Sequence, residues 1–335
     1  MIEIAKIIEA SGIAGLRPEW EELWQRDPAA TPFQSPAWLE AWWDYFGTSE
    51  PLVLTARCGA ELVGLLPLYL LREPGCRKLL PIGVGLSDHI DALIDPIADD
   101  GVVDLLIAAV AQTQGWDECW LPDLAAEGKL AGAAGFPGVT SRTMPAPPCP
   151  VLGLPADPSR LGEVVPRKTL RDLHQVQKRA MAAGGIVIEA IADGGLDAAL
   201  DDLFRLHEQR WRGRGESGVC GDPLVQAFHR KAAHRLQAVG MLRLYRLLIG
   251  DRVAAVYYGF VAKSTAYAYL GGFDLSQPRL SPGTQIIAYA IEQAIAEGVA
   301  RFDFLRGDEA YKYAWGAVDR HKISLRLSWQ QCTAR

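Results

Sequence analysis

MLRLYRLLIGDRVAAVYYGFVAKSTAYAYLGGFDLSQPRLSPGTQIIAYAIEQAIAEGVARFDFLRGDEAYKYAW, residues Met241 to Trp315, is the stretch that decides the fold. It opens with two β-rich runs, Met241–Ile249 and Arg252–Val261, joined at Gly250-Asp251, the residue pair of a tight hairpin. Thr265–Gly271 supplies a third strand. Ser281-Pro282-Gly283-Thr284 then starts a helix, because a polar residue followed by proline at the first helical position is an N-terminal signal. That helix runs to about Glu297 and stops at Gly298. Arg301–Leu305 reads as a short strand, Glu309–Trp315 as a short helix, and beyond them Lys322–Trp329 as a last strand.

Upstream the pattern continues. Ile186–Ala190 is a short strand and Leu196–Trp211 a helix, with Leu203, Leu206 and Trp211 near helical spacing. After the glycine-rich loop Gly213–Gly221, Asp222-Pro223 opens a helix to about Val239. Earlier still, Arg160 to Arg179 is basic, with Arg167, Lys168, Arg171, Lys178 and Arg179 on a helix that Gly184-Gly185 ends. The proline-rich segment Met144–Pro158 reads as a linker or crossover, since proline forbids a continuing helix. It divides the chain into domains at 1–150 and 159–335. The first half repeats the plan in weaker form: strands Pro51–Arg57 and Glu61–Leu71 flank Cys58-Gly59-Ala60. Its helix Val102–Gln114 is closed by Gly115 and followed by Trp116 to Asp123, as Gln285–Glu297 is closed by Gly298 and followed by Val299 to Asp308. The recurrence reads as an old duplication.

Composition narrows the function. With 335 residues, 49% apolar and 22% charged, the chain has ordinary globular make-up and length for two cores. Trp38, Trp42 and Trp43 at helical spacing read as core packing. The net charge of −6 argues against a primary nucleic-acid binder, though not against a local basic patch. Six cysteines without a CxxC pair offer neither a zinc ribbon nor a disulfide framework, and no metal site is expected. Met1-Ile2-Glu3-Ile4 lacks the start of a signal peptide, and no run is apolar for long enough to cross a bilayer. The expectation is a cytoplasmic protein without membrane insertion.

The order strand, two helices, three antiparallel strands, helix, strand, helix, strand resembles the GNAT acetyltransferase fold. The segments that carry the likeness are Leu206-His207-Glu208-Gln209-Arg210-Trp211, Phe273-Asp274, Ser281-Pro282-Gly283 and, most distinctively, Phe302-Asp303-Phe304-Leu305-Arg306-Gly307-Asp308-Glu309-Ala310-Tyr311-Lys312. In the first half, Phe33-Gln34-Ser35-Pro36-Ala37-Trp38 and Val63-Gly64-Leu65-Leu66-Pro67-Leu68 fit as well. Within that superfamily the chain is most similar to the CelD/BcsL-like group, which itself resembles the Fem peptidyltransferases with their paired GNAT domains. The implied fold is α/β (α+β): two tandem GNAT-like domains with mixed, mostly antiparallel sheets flanked by helices.

The resemblance implies acetyl-CoA or another acyl-CoA as co-substrate. A helix N-terminus offers unpaired amides and partial positive charge to a pyrophosphate, and Ser281, Pro282, Gly283 and Thr284 form that terminus. GNAT enzymes take an oxyanion donor from the preceding strand, here about Tyr269–Gly271, so Leu270 and Gly271 join the cofactor set. Asp303 is the preferred acid–base residue. Asp308 is a second choice or a helix cap, and Tyr311 either protonates the leaving thiolate or packs. Lys312 is placed to neutralise a phosphate or carboxylate on the acceptor. Asp88 and His89, in Ser87–Asp91, and the i, i+4 pair His207 and Trp211 border the acceptor site or serve structure. Apolar Ile90, Leu93 and Ile94 suggest a strand that puts His89 and Asp91 on one face. The first half shapes the acceptor site without holding cofactor, since Asp99-Asp100 before its helix would repel phosphate. Three functions follow: N-acylation of an amino sugar or other small amine, in a polysaccharide or cell-envelope setting; Fem-like transfer from aminoacyl-tRNA through the basic helix; or non-catalytic binding by a degenerate fold.

Overall fold

The computed structural model describes residues 1–329 except 48–49, 99–100, 134–137, 193, 213–214 and 216–217; the Asp99-Asp100 pair and Cys332 lie outside the described residues. The chain forms two units, Met1–Pro148 with Arg320–Arg335, and Cys149–Asp319. The strand at the end of the chain, from Arg320 onward, therefore belongs with the first unit.

The first unit begins with strand β1 (Ile2–Ile7) and helices α1 (Ala10–Arg26) and α2 (Pro36–Phe46). Strands β2 (Glu50–Cys58), β3 (Glu61–Glu73), β4 (Cys76–Pro81) and the two-residue β5 (Leu93–Ile94) follow, then α3 (Val102–Gln112), β6 (Glu118–Ala125) and β7 (Val139–Gly153), whose residues from Cys149 onward belong to the second unit. The second unit contains α4 (Arg167–Ala182), β8 (Val187–Ala190), α5 (Leu196–Arg212), α6 (Pro223–Ala238), β9 (Leu242–Ile249), β10 (Arg252–Ala262) and β11 (Thr265–Phe273). It continues with α7 (Pro282–Ala296), β12 (Arg301–Asp303) and α8 (Ala310–Ala314), and β13 (Val318–Trp329) ends the described chain.

Both units run strand, two helices, three strands, helix, strand: β1-α1-α2-β2-β3-β4-α3-β6 and β8-α5-α6-β9-β10-β11-α7-β12. The strand before the helix pairs in parallel with the strand after it in each case, through Lys78↔Glu118 and Leu79↔Cys119 in one unit and Thr265↔Arg301, Ala266↔Phe302 and Tyr267↔Asp303 in the other. The remaining ladders within each repeat are antiparallel. Helix α4 has no counterpart in the first unit and is an addition to the repeated plan. Each unit has its own apolar core. One gathers Leu54, Leu66, Val102, Leu106, Trp116 and Leu325, the other Leu247, Tyr257, Ile286, Ile291, Phe302 and Trp315.

Local signals explain most elements. Ser35 accepts a bond from the Trp38 amide with Pro36 at the first helical position, and Asp222 does the same for Leu224 with Pro223 behind it. Ile249 pairs with Arg252 around the Gly250-Asp251 turn. Trp38 and Trp42 are buried, as the spacing of an apolar helix face requires.

Two expectations fail. Met144–Pro158 is not a linker: most of it lies in β7, where Val151, Leu152 and Gly153 pair with Asp303, Phe302 and Arg301, and the Pro150 carbonyl accepts from Phe304. Proline's fixed φ suits an extended strand as well as a linker; only its missing N–H limits pairing. Ser87–Asp91 is not a strand. The chain turns at Gly83, whose carbonyl accepts from Ser87, and only Leu93–Ile94 is extended and paired.

Candidate functional site

The parallel pairing of β11 with β12 lasts three rungs and ends at Tyr267↔Asp303, while β11 itself continues to Phe273. From Ala268 onward that edge has no strand partner among the described residues. Its other edge stays paired to β10, with Tyr258 opposite Leu270 and Gly259 opposite Ala268, so Tyr269 is an extra, bulged residue. A bulge bends its strand and re-aims the groups beside it. The diverging edge and the start of α7 line a cavity of about 370 Å³. Leu270, Gly271, Ser281, Pro282, Gly283 and Thr284 all lie on its wall, joined by Tyr257, Phe273, Ile286 and Trp315.

The α7 end of this cavity is electropositive. No acidic residue occupies the first turn. The Ser281 carbonyl accepts from both Thr284 and Gln285, at 3.0 and 3.2 Å, and Pro282 has no N–H. The amides of Ser281 and Gly283 take no partner among the described residues. Ser281 holds the left-handed conformation, φ 42°, and its hydroxyl donates to the Pro278 carbonyl rather than capping the helix. Such a conformation costs a non-glycine residue about 1–3 kcal/mol and persists where surrounding structure dictates it. A Cβ on Gly283 would stand 3.0 Å from Cδ1 of Phe273, so a side chain there would require the ring to give by a few tenths of an ångström. Arg210, on the last turn of α5, also lines the cavity, with its guanidinium 5.0 Å above the Phe273 ring. Arg179 donates to the Arg279 carbonyl, bringing two more cations to the loop before α7.

Tyr311 reaches the cavity wall from α8, just after a turn whose backbone Asp303 and Lys312 hold. Between β12 and α8 the chain turns through Leu305 in the left-handed region, φ 59°. The Asp303 carboxylate accepts from the Leu305 amide at 2.8 Å. The buried Lys312 ammonium donates to the carbonyls of Leu305, Arg306 and Gly307 at 2.9, 2.8 and 3.1 Å and pairs with Glu309 at 2.9 Å. With only three N–H donors, Lys312 has none left for an acceptor molecule. Asp303 is likewise buried and off the cavity lining, and Asp308 is exposed and off it too. Burial, and next the charge of Glu309, push the Tyr311 phenol up to about 12, so it is protonated throughout the neutral range.

The other candidates are placed elsewhere. His207 is buried on α5, and its Nε2 accepts from Trp211 Nε1 at 3.0 Å; neither residue lines the cavity. Desolvation, then Arg210, depress His207 to about 4, which keeps it neutral near pH 7. Asp88 and His89 lie buried in the first unit, where His89 Nδ1 accepts from Lys322 Nζ at 2.8 Å. Asp274 is the carboxylate on the lining. Burial raises it, but bonds from Ser276 and the charge of Arg252 outweigh that and hold it below the ordinary range. The sequence reading gave Arg210, Tyr257, Phe273 and Trp315 no role at the site, although Arg210 and Phe273 stand in segments that carried the family likeness and Arg210 lies one turn beyond His207.

Residues 167–313 match the family model described as an acetyltransferase (GNAT) domain. No curated protein matches the chain. Among solved structures it is similar to FemX, at 12% identity over 98% of this chain and 97% of that one, with a TM-score of 0.69. It is also similar to the C-terminal domain of a putative lysylphosphatidylglycerol synthetase from Agrobacterium fabrum (12% identity, 94% and 92% covered, TM-score 0.59). A third likeness is to a tandem GNAT protein from the clavulanic acid biosynthesis pathway (12%, 98% and 98%, 0.51). At these identities the likeness is one of fold. The family match thus falls within the second unit, and the fold of the whole chain is similar to that of a tandem GNAT protein.

Proposed function

We propose that this protein is an acyl-CoA-dependent N-acyltransferase that moves an acetyl or other acyl group to an amine of an amino sugar or other small acceptor, as in the CelD/BcsL-like group. The observation that carries this reading is the loss of the parallel neighbour after Tyr267. It leaves the Ala268–Phe273 edge bare along a cavity that ends at the acid-free N-terminus of α7.

The residues present fit such a co-substrate. A bare strand edge offers main-chain groups to an amide-bearing arm, in the manner of strand addition. The Ser281 and Gly283 amides and the partial positive charge at α7 suit a diphosphate, with Arg210 adding charge. Bound acyl-CoA would supply an acyl group already activated as a thioester. The chain's own groups then have two tasks. A backbone amide in the bulged segment Tyr269–Gly271 donates to the carbonyl oxygen as negative charge grows there. Tyr311, protonated at neutral pH, gives its hydroxyl proton to the departing thiolate and is reprotonated by the proton that the acylated nitrogen sheds, directly or through solvent, so the amine's proton leaves as the thiol hydrogen.

Calorimetry of the purified chain with CoA and acetyl-CoA tests the reading. Saturable binding, followed by multiple-turnover release of CoA with an amine acceptor, is the expected result. No heat of binding at millimolar ligand would end it, and binding without any release would leave the non-catalytic alternative in its place.

One observation favours a second reading, Fem-like transfer from aminoacyl-tRNA. The added helix α4 presents Arg167, Lys168, Arg171, Lys178 and Arg179, all exposed, on the side opposite buried Leu173, Val176 and Ala180. Salt-dependent retention on tRNA, lost in Arg167→Glu with Arg171→Glu, would favour it; retention indifferent to salt would remove it.

A further inference from the structure

Helix α7 has a second face that the acyl-transfer reading does not use. At about 100° per residue, Gly283 and Ile287 look one way while Gln285, Ala288 and Glu292 look the other. On that far face lies a cleft of about 290 Å³ between α4, β8 and α7. Its size is near the lower end of small-molecule pockets, roughly 300–1,000 Å³. Met181, Ile186, Ile188 and Tyr289 make most of its wall apolar.

Among the described residues, one polar atom on this wall is buried without a partner, and one half-buried carboxylate stands without a cation. Glu292 is half-buried; desolvation alone acts on its carboxyl, raising it, and it has no ion-pair partner among the described residues. Gln285 is 3% exposed; its amide nitrogen donates to the Leu280 carbonyl, while its Oε1 is buried without a hydrogen-bond partner. A buried acceptor left unmade costs about 1–3 kcal/mol, and a carboxylate in apolar surroundings lacks the counter-charge that would offset its desolvation. Both groups are acceptors. The cations of α4 do not answer them, since Gln177, Ala180 and Met181 turn to the cleft and Lys178 and Arg179 lie on the exposed side of the helix.

We infer that this cleft is a second ligand site, and that it takes a small amphipathic amine. The ammonium group sits on Glu292 with Gln285 Oε1 as a further acceptor, and the alkyl body lies against Met181, Ile186 and Ile188. The site is separate from the acyl cavity and does not rest on the acyl-transfer reading.

The probe is n-hexylammonium chloride, with hexan-1-ol as its uncharged match, each titrated into the full chain by calorimetry. Saturable binding of hexylammonium at least tenfold tighter than hexanol is expected. Glu292→Gln should lose that preference, and Gly283→Leu, which crowds the Phe273 ring and the acyl cavity and not the cleft lining, should leave hexylammonium affinity within twofold. Equal binding of amine and alcohol, or none, would overturn the inference; that comparison uses the unaltered protein and needs no variant to fold. Affinity retained in Glu292→Gln but lost in Gly283→Leu would also overturn it, by placing the amine in the acyl cavity.

Discussion

Asp303 and Lys312 grip the same turn from two sides: the carboxylate takes the Leu305 amide, and the ammonium takes the Leu305 carbonyl and the two that follow. These two residues, chemically the most suggestive in the sequence, act on the backbone of the turn just before Tyr311. Lys312→Met should therefore leave three carbonyls without their donor and destabilise the fold by roughly 2–4 kcal/mol, read by urea unfolding. A stable, inactive Lys312→Met protein would instead give the lysine a direct chemical role.

Tyr311→Phe keeps the packing and removes the proton. A kcat lowered about a hundredfold with KM nearly unchanged is expected. Because the phenol is held up to about 12, the wild-type rate should show no alkaline fall from this group below about pH 10. Unchanged kcat in the variant would reduce Tyr311 to a wall residue.

A side chain at Gly283 would press on the Phe273 ring, 3.0 Å from the nearest ring atom. Gly283→Leu should weaken CoA at least tenfold by calorimetry and lower the unfolding midpoint, since the Phe273 ring must give way to the new side chain. Wild-type affinity in this variant would move the diphosphate away from α7.

Gly272 has a different job, letting α5 lie against β11. A Cβ there would come within 2.7 Å of Leu206 Cβ and 2.8 Å of the His207 nitrogen. Gly272→Ala should cost about 1–3 kcal/mol of stability, visible as a lower thermal midpoint.

Two buried histidines make stability depend on pH. Burial first, and His207 second, depress His229 to about 3; His207 itself lies at about 4. Below about pH 6.5 the unfolded chain binds protons that the folded chain refuses, so stability falls as pH drops toward 4. His229→Phe, an aromatic replacement among Phe204, Phe228, Tyr258 and Tyr269, should flatten that slope by up to about 1.4 kcal/mol per pH unit. An unaltered slope would show that His229 does not contribute.

Much of the fold was legible because its signals are short. Asp222-Pro223, Ser281-Pro282 and Gly250-Asp251 act over a few residues, and each begins or turns an element where expected. The recurrence of strand, helices and hairpins was legible for the same reason. Met144–Pro158 misled, since its prolines, four of them inside β7, look alike in a linker and in an extended strand whose remaining amides still pair. Ser87–Asp91 misled because its alternation forms no ladder among the described residues: Ile90 donates to the Asp123 carbonyl of β6, and regular pairing begins only at Leu93. The site was legible where it is continuous in sequence: Ser281 to Thr284 and Leu270-Gly271 share one cavity.

By itself, then, the sequence determined the order of elements, the caps, and the helix start that closes the cavity, because those depend on backbone dihedrals and neighbours within a turn. Only the tertiary structure decided which polar residues meet the cavity and which hold the chain. It seated Arg210 over Phe273, turned Lys312 inward onto carbonyls and left Glu292 without a cation. Such pairings join residues far apart in the chain, and the free energy of a buried charge depends on what packing brings beside it rather than on its neighbours in sequence.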